Sequence, residues 1–127
     1  MARLALLVIV LLALLAGTAE ARGGDDVRVS GSCGRGATSS LRLQARDDGI
    51  EVRFRLRQTS GRGTWRITLV HENRVAARVT RKTTRSEDSF ELRRTIPDLP
   101  GSDAVVVHAW GPRGIGCRAA ATVPDSA

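Results

Sequence analysis

The chain is poor in the side chains that carry most recognisable chemistry. Its 127 residues include two cysteines, two histidines, two tryptophans, two phenylalanines and no tyrosine. Cys33 and Cys117 lie near opposite ends, and with His71 and His108 they do not supply the closely spaced ligands of a structural metal site. His71-Glu72-Asn73 lacks the second histidine at helical spacing that a zinc protease requires, and reads as a hairpin tip. His108 sits among valines and alanines as an ordinary strand histidine. No serine occupies Gly-x-Ser-x-Gly, and neither Gly31–Gly36 nor Gly61-Arg62-Gly63 opens a helix that could cradle a phosphate. The adjacent carboxylates Asp47/Asp48 and Glu87/Asp88 fall in a turn and a polar connection, with nothing apolar around them to raise a pKa. We therefore expect no enzyme, no metal and no cofactor.

Equally absent is a long hydrophobic span. The apolar run Leu4–Ala16 is shorter than the roughly 20 residues that cross a membrane as a helix. It follows Arg3 and precedes Ala19-Glu20-Ala21, small residues at the two positions that signal peptidase reads. Residues 1–21 are expected to be a cleaved signal peptide, and 22–127 one secreted domain, extracellular or in the cell envelope. No cysteine follows the run to take a lipid. Export puts Cys33 and Cys117 in an oxidising compartment, where they are predicted to pair. Closing so long a loop is worth on the order of 4 to 5 kcal/mol in denatured-state entropy.

No stretch of 22–127 repeats apolar residues at the helical period; alternation with period two recurs instead from Leu41 almost to the end. Leu41 to Ala45, a turn at Asp48-Gly49, and Ile50 to Arg57 read as a hairpin that sets Leu43 opposite Phe54 and Leu41 opposite Leu56. Arg42 then faces Arg55, and Arg46 faces Glu51. A second hairpin turns on an odd loop, His71-Glu72-Asn73, which keeps Leu69 facing Val75 and Ile67 facing Ala77; a two-residue loop would set Ile67 against Arg78. Thr80 to Asp88 reads as a solvated connection. Phe90 to Ile96 forms a strand that stops at Pro97, and Ala104 to Trp110, apolar on both faces, is the best central strand. Beyond a turn at Gly111-Pro112-Arg113-Gly114, the residues Cys117, Ala119, Ala121 and Val123 alternate inward. With a short opening strand at Val27-Arg28-Val29, the spacing predicts an all-β, single antiparallel β-sandwich of seven or eight strands with one disulfide.

The stretch from Leu99-Pro100-Gly101 through Ala104-Val105-Val106-Val107-His108-Ala109-Trp110, followed by a glycine-bearing hairpin, resembles the late strands of fibronectin type III and other immunoglobulin-like domains. The tyrosine usual before the penultimate strand is absent, and the two cysteines lack the spacing of the usual inter-sheet disulfide. The chain is also similar to small secreted bacterial β-sandwich proteins of unassigned function. The resemblance implies an immunoglobulin-like fold and no particular chemistry.

What the chain does have is positive charge. Its formal charge is +7, and every basic residue except Lys82 is arginine. Arginine pairs bidentately with phosphate and carboxylate, so anionic cell-envelope polymers are natural partners. The alternation projects Arg42, Arg46, Arg53, Arg55 and Arg57 from the side of the first hairpin opposite the core, and these are the expected anion-binding residues. Arg66 and Arg78 would extend the face if the second hairpin lay beside the first. A GC-rich coding bias, or the ordinary wet side of a sheet, accounts for the same arginines without a ligand. Nucleic acid is disfavoured, because no aromatics interleave for base stacking. The alternative is a protein-interaction or structural module whose sandwich loops use Trp110 as the contact, since Trp110 lies on the opposite face of its strand from Val105, Val107 and Ala109. Mass spectrometry of the exported protein should show a chain beginning at Arg22; retention of residues 1–21 would overturn the signal reading.

Overall fold

The computed structural model describes residues 26–125, so the expected signal segment lies outside the described residues. The described chain is built from nine strands: β1 (Asp26–Ser30), β2 (Ser32–Cys33), β3 (Ala37–Arg46), β4 (Gly49–Gln58), β5 (Gly63–His71), β6 (Arg74–Thr83), β7 (Ser89–Ile96), β8 (Asp103–Trp110) and β9 (Gly116–Val123). They form two antiparallel sheets, one in the order β1-β3-β4-β7 and the other in the order β2-β9-β8-β5-β6. The ninth strand, beyond the expected seven or eight, is the two-residue β2. It exists because the opening segment changes sheets at Gly31, whose amide donates to the Ser39 carbonyl at 2.9 Å. A Cβ there would sit 1.9 Å from the Ser39 hydroxyl oxygen and 3.3 Å from the Arg118 carbonyl, so a larger residue would have to displace the Ser39 side chain.

The alternation seen in the sequence becomes the interior. Leu41, Leu43, Ile50, Val52, Phe54, Leu56 and Leu92 from the four-stranded sheet meet Trp65, Ile67, Leu69, Val105, Val107, Ala109 and Ala119 from the other. Cys33 and Cys117 are directly paired across β2 and β9 and form the disulfide. The turn between β8 and β9 is closed by the Ile115 amide donating to the Pro112 carbonyl at 3.1 Å, with Arg113 and Gly114 at φ 59 and 73.

Both hairpins change register; the first keeps its predicted faces, and the second keeps them except at Val75, which was expected to face Leu69 but lies opposite Val70 and is exposed. In the first, Asp47 and Asp48 form the turn, Arg46 pairs with Gly49, and Leu43 lies opposite Val52 and Leu41 opposite Phe54. Arg42 therefore faces Arg53, and Glu51 faces Gln44. The reason is Gly49, which adopts φ 140 and whose missing Cβ would lie 2.4 Å from the Ile96 carbonyl oxygen. The glycine is needed where β4 meets β7, and the turn moves one residue earlier. In the second hairpin Glu72 and Asn73 form a two-residue turn with φ 50 and 65, the left-handed pair of a hairpin turn. That loop reverses β6 at Val75, but a bulge opposite the Leu69–Val70 step leaves Ala76 unpaired and restores the predicted faces from Ala77 onward. Ile67 then lies opposite Val79 and Leu69 opposite Ala77, and Arg78 points out.

Two buried polar clusters close the ends of the apolar core. At one, Gln58 Oε1 accepts from Trp65 Nε1 at 3.0 Å and from the Thr83 hydroxyl at 2.5 Å, while Gln58 Nε2 donates to the Ser60 carbonyl. Thr83, expected within a solvated connection, is the buried last residue of β6. At the other end His71 Nε2 lies 2.7 Å from Asp103 Oδ1, and both side chains are buried. His71 is thus the inward end of β5, and the hairpin tip begins at Glu72.

Two outcomes test this packing. Replacing both cysteines by alanine should lower the unfolding free energy in urea by about 4 kcal/mol, and an unchanged midpoint would show that the loop is held without the bridge. Gly111→Ala places a Cβ 2.5 Å from the Trp65 indole and should cost about 1 to 3 kcal/mol of stability by overpacking.

Candidate functional site: two basic sheet faces

The five arginines expected to act together do share one surface, the outer face of the four-stranded sheet. The register adds two that sequence reasoning missed. Arg28 pairs with Arg42, Arg42 with Arg53, and Arg53 with Arg93, so a row of four guanidinium groups crosses all four strands. The signal for Arg28 and Arg93 was present as alternation, but strand order was needed to bring β1 and β7 alongside.

Like charges opposite one another in a sheet are unfavourable unless compensated. Here compensation is systematic. Asp26 takes a two-point hydrogen bond from Arg42, Nε to Oδ1 at 3.1 Å and Nη2 to Oδ2 at 3.0 Å, and lies 3.7 Å from Arg28. Glu51 accepts from Arg53 at 2.8 Å and from Arg46 at 3.4 Å. Glu91 lies between Arg93 and Arg55, and Asp88 is 3.7 Å from Arg57. Seven arginines thus share four carboxylates, and the face keeps a net positive charge. The Arg42 hydrogen bonds hold the Asp26 carboxyl below its ordinary value against a desolvation that opposes them, and the charge of Arg28 adds to the effect. Desolvation raises Glu51, but the Arg53 hydrogen bond and the charges of Arg46, Arg53 and Arg93 outweigh it and hold Glu51 low.

Two depressions lie along these strands. One of ≈ 230 Å³ is lined by Arg28, Arg42, Arg53 and Arg55 with Ser40 and Glu91. The other, of ≈ 300 Å³, shares Ser40 and Arg55 and adds Thr38, Ser39, Arg57 and Ser89. Guanidinium groups beside hydroxyls make a donor-rich lining suited to phosphate or carboxylate oxygens. No aromatic ring faces outward on this sheet among the described residues.

Arg66 and Arg78 do not extend this surface. They project from β5 and β6, which belong to the other sheet, because the chain crosses between sheets after Gln58. Trp110 also lies on that second outer face, 54% exposed, with its ring stacked on His108 at 5.3 Å between centroids and 15° between planes.

The end cluster around His71 is built differently. Asp103 Oδ1 also accepts the Leu99 amide at 3.2 Å, tying the turn before β8 to β5. A hydrogen bond with Asp103, together with burial and the Asp103 charge, raises Asp98 above its ordinary value. These contacts hold the β7–β8 turn in place. No group of three His, Cys, Asp or Glu among the described residues could hold a metal ion. No described helix is long and apolar enough to cross a membrane.

No family model, no curated protein and no solved structure matches the chain.

The Asp26 fork has a pH signature. Because its folded-state pKa lies below the ordinary 3.8, its contribution to stability is present above that value and lost as pH falls through the folded pKa. Asp26→Asn should flatten the acid limb of the stability curve below about pH 4, measured by urea unfolding at stepped pH. An acid limb identical to the parent's would show that the fork contributes nothing.

Proposed function

We propose that the protein is a secreted, non-catalytic module that binds anionic cell-envelope polymers through the outer face of its four-stranded sheet. The observation that carries this reading is the row Arg28, Arg42, Arg53 and Arg93, set across four strands beside hydroxyl-lined depressions. A sheet holds such a row flat and evenly spaced, at roughly 4.8 Å from strand to strand. Internal carboxylates offset the repulsion within the row, and seven arginines against four acids leave donors for a polyanion to collect. Binding of this kind weakens steeply with salt.

We also propose an immunoglobulin-like relationship. In its support, the order β9-β8-β5-β6, with the opening segment divided between the sheets, parallels the sheet of such domains that carries their last strands. The β3–β4 hairpin, which stays within one sheet, departs from that pattern.

A second reading, a protein-interaction or structural module, draws on the exposure of Trp110, because tryptophan and arginine dominate the energetics of protein interfaces. The two readings separate on one column. Protein applied to immobilised polyglycerol phosphate at low salt should be retained and released by a salt step, with a neutral glycan as control. Arg55→Glu with Arg57→Glu, both on exposed side chains with loose ion pairs, should weaken retention about tenfold, while Trp110→Ala should leave it unchanged. Retention untouched by the double variant would remove this face as the site.

A further inference from the structure

We propose that the outer face of the five-stranded sheet is a second binding site, built around Trp110 and His108, for an acidic sugar chain of the uronate type. It differs from the first face in two respects. It carries the exposed aromatic stack, and its cations have no acidic partners. Arg66, Arg78, Lys82 and Arg118 all point outward, no carboxylate occupies an outward position on these strands, and none of the four is ion-paired among the described residues. Every arginine in the row on the opposite sheet is matched to an acid.

The register places the charges beside the rings. Trp110 lies directly opposite Arg66 on β5, and His108 directly opposite Arg118 on β9. Opposite Trp110 on its other side is Gly116, so the β9 flank of the indole has no facing side chain. Thr68 and Thr80 complete the rows next to Arg66 and Arg78. An indole face is electron-rich and attracts the polarised C–H groups on one side of a pyranose ring. A guanidinium takes a carboxylate by two parallel hydrogen bonds. Threonine hydroxyls both donate and accept, matching sugar hydroxyls. A uronate carries its carboxylate on the ring itself, which fits a site where indole and guanidinium stand on adjacent strands. A nucleotide separates base from phosphate by a sugar and gains from successive aromatic platforms, of which this face has one. A second copy of the chain is excluded as occupant by charge, since face-to-face pairing would set cations against cations.

The site is on the other sheet from the proposed phosphate-polymer face, so the two stand or fall separately. The test uses intrinsic fluorescence of the disulfide-bonded protein titrated with tetragalacturonate. Trp65 is fully buried and Trp110 exposed, so acrylamide quenching reports on Trp110. Tetragalacturonate should protect Trp110 from quenching. Arg66→Gln with Arg118→Gln should weaken binding about tenfold, Trp110→Ala should abolish it by calorimetry, and Arg55→Glu with Arg57→Glu should leave it unchanged. Absence of protection overturns the proposal. So does polyglycerol phosphate giving equal protection, which would mean charge alone, or oligothymidylate binding more tightly, which would mean a nucleic-acid surface.

Discussion

The hydrogen bond from Trp65 Nε1 to Gln58 Oε1, at 3.0 Å in the interior, is the contact around which the sandwich is arranged. Gln58 ends β4 in one sheet, and Trp65 and Thr83 belong to the other. One amide therefore joins the sheets where the chain crosses between them. Burying an indole with its N–H unpaired would carry a penalty of about 1 to 3 kcal/mol. Gln58 removes that penalty while its own amide donates to the Ser60 carbonyl. The consequences spread outward. Gly111 must be glycine because the indole occupies the space of its Cβ, Phe90 packs at a tilt against the same ring, and the disulfide anchors β2 to β9 in the same sheet.

With the core settled, the two outer faces could be spent differently. On the four-stranded sheet the arginines are stitched to Asp26, Glu51, Glu91 and Asp88, which turns a repulsive row into a network that helps fix the sheet. On the five-stranded sheet Arg66, Arg78, Lys82 and Arg118 have no ion-pair partner among the described residues, and Arg66 and Arg118 flank the aromatic pair. Uncompensated guanidinium groups on a flat sheet are stable in water and contribute little to folding. The asymmetry follows from placement: among the described strands Asp26, Glu51 and Glu91 lie on the four-stranded sheet beside arginines, and Asp103 of the other sheet is buried against His71.

Much of the fold could be read from residue order because a strand has a side-chain period of two. Leu41, Leu43, Val52, Phe54, Ile67 and Leu69 turned inward as alternation requires. Register was harder, because several turns satisfy the same alternation. A shift of two residues in the first hairpin leaves every face intact, so Asp48-Gly49 and Asp47-Asp48 are indistinguishable by pattern. The contact deciding between them is Gly49 against the Ile96 carbonyl, a neighbour 47 positions along that belongs to another strand. In the second hairpin, parity pointed to an odd loop. The protein instead uses a two-residue turn and corrects the face with a bulge at Ala76.

Sequence alone determined the class of the domain, the inward and outward sets of the first hairpin and of β5 from Trp65 to Leu69, and the pairing of Cys33 with Cys117, since these depend on local periodicity and on the count of cysteines. It also located five arginines of the first basic face, which lie on one hairpin. Only the tertiary structure decided that Arg28 and Arg93 join them, that Arg66 and Arg78 leave for the opposite side, and that Thr83 and His71 become buried polar clamps. The physical reason is that strand order and sheet membership are set by hydrogen bonds and packing between segments far apart in the chain, and no local pattern records which strand a given edge will meet.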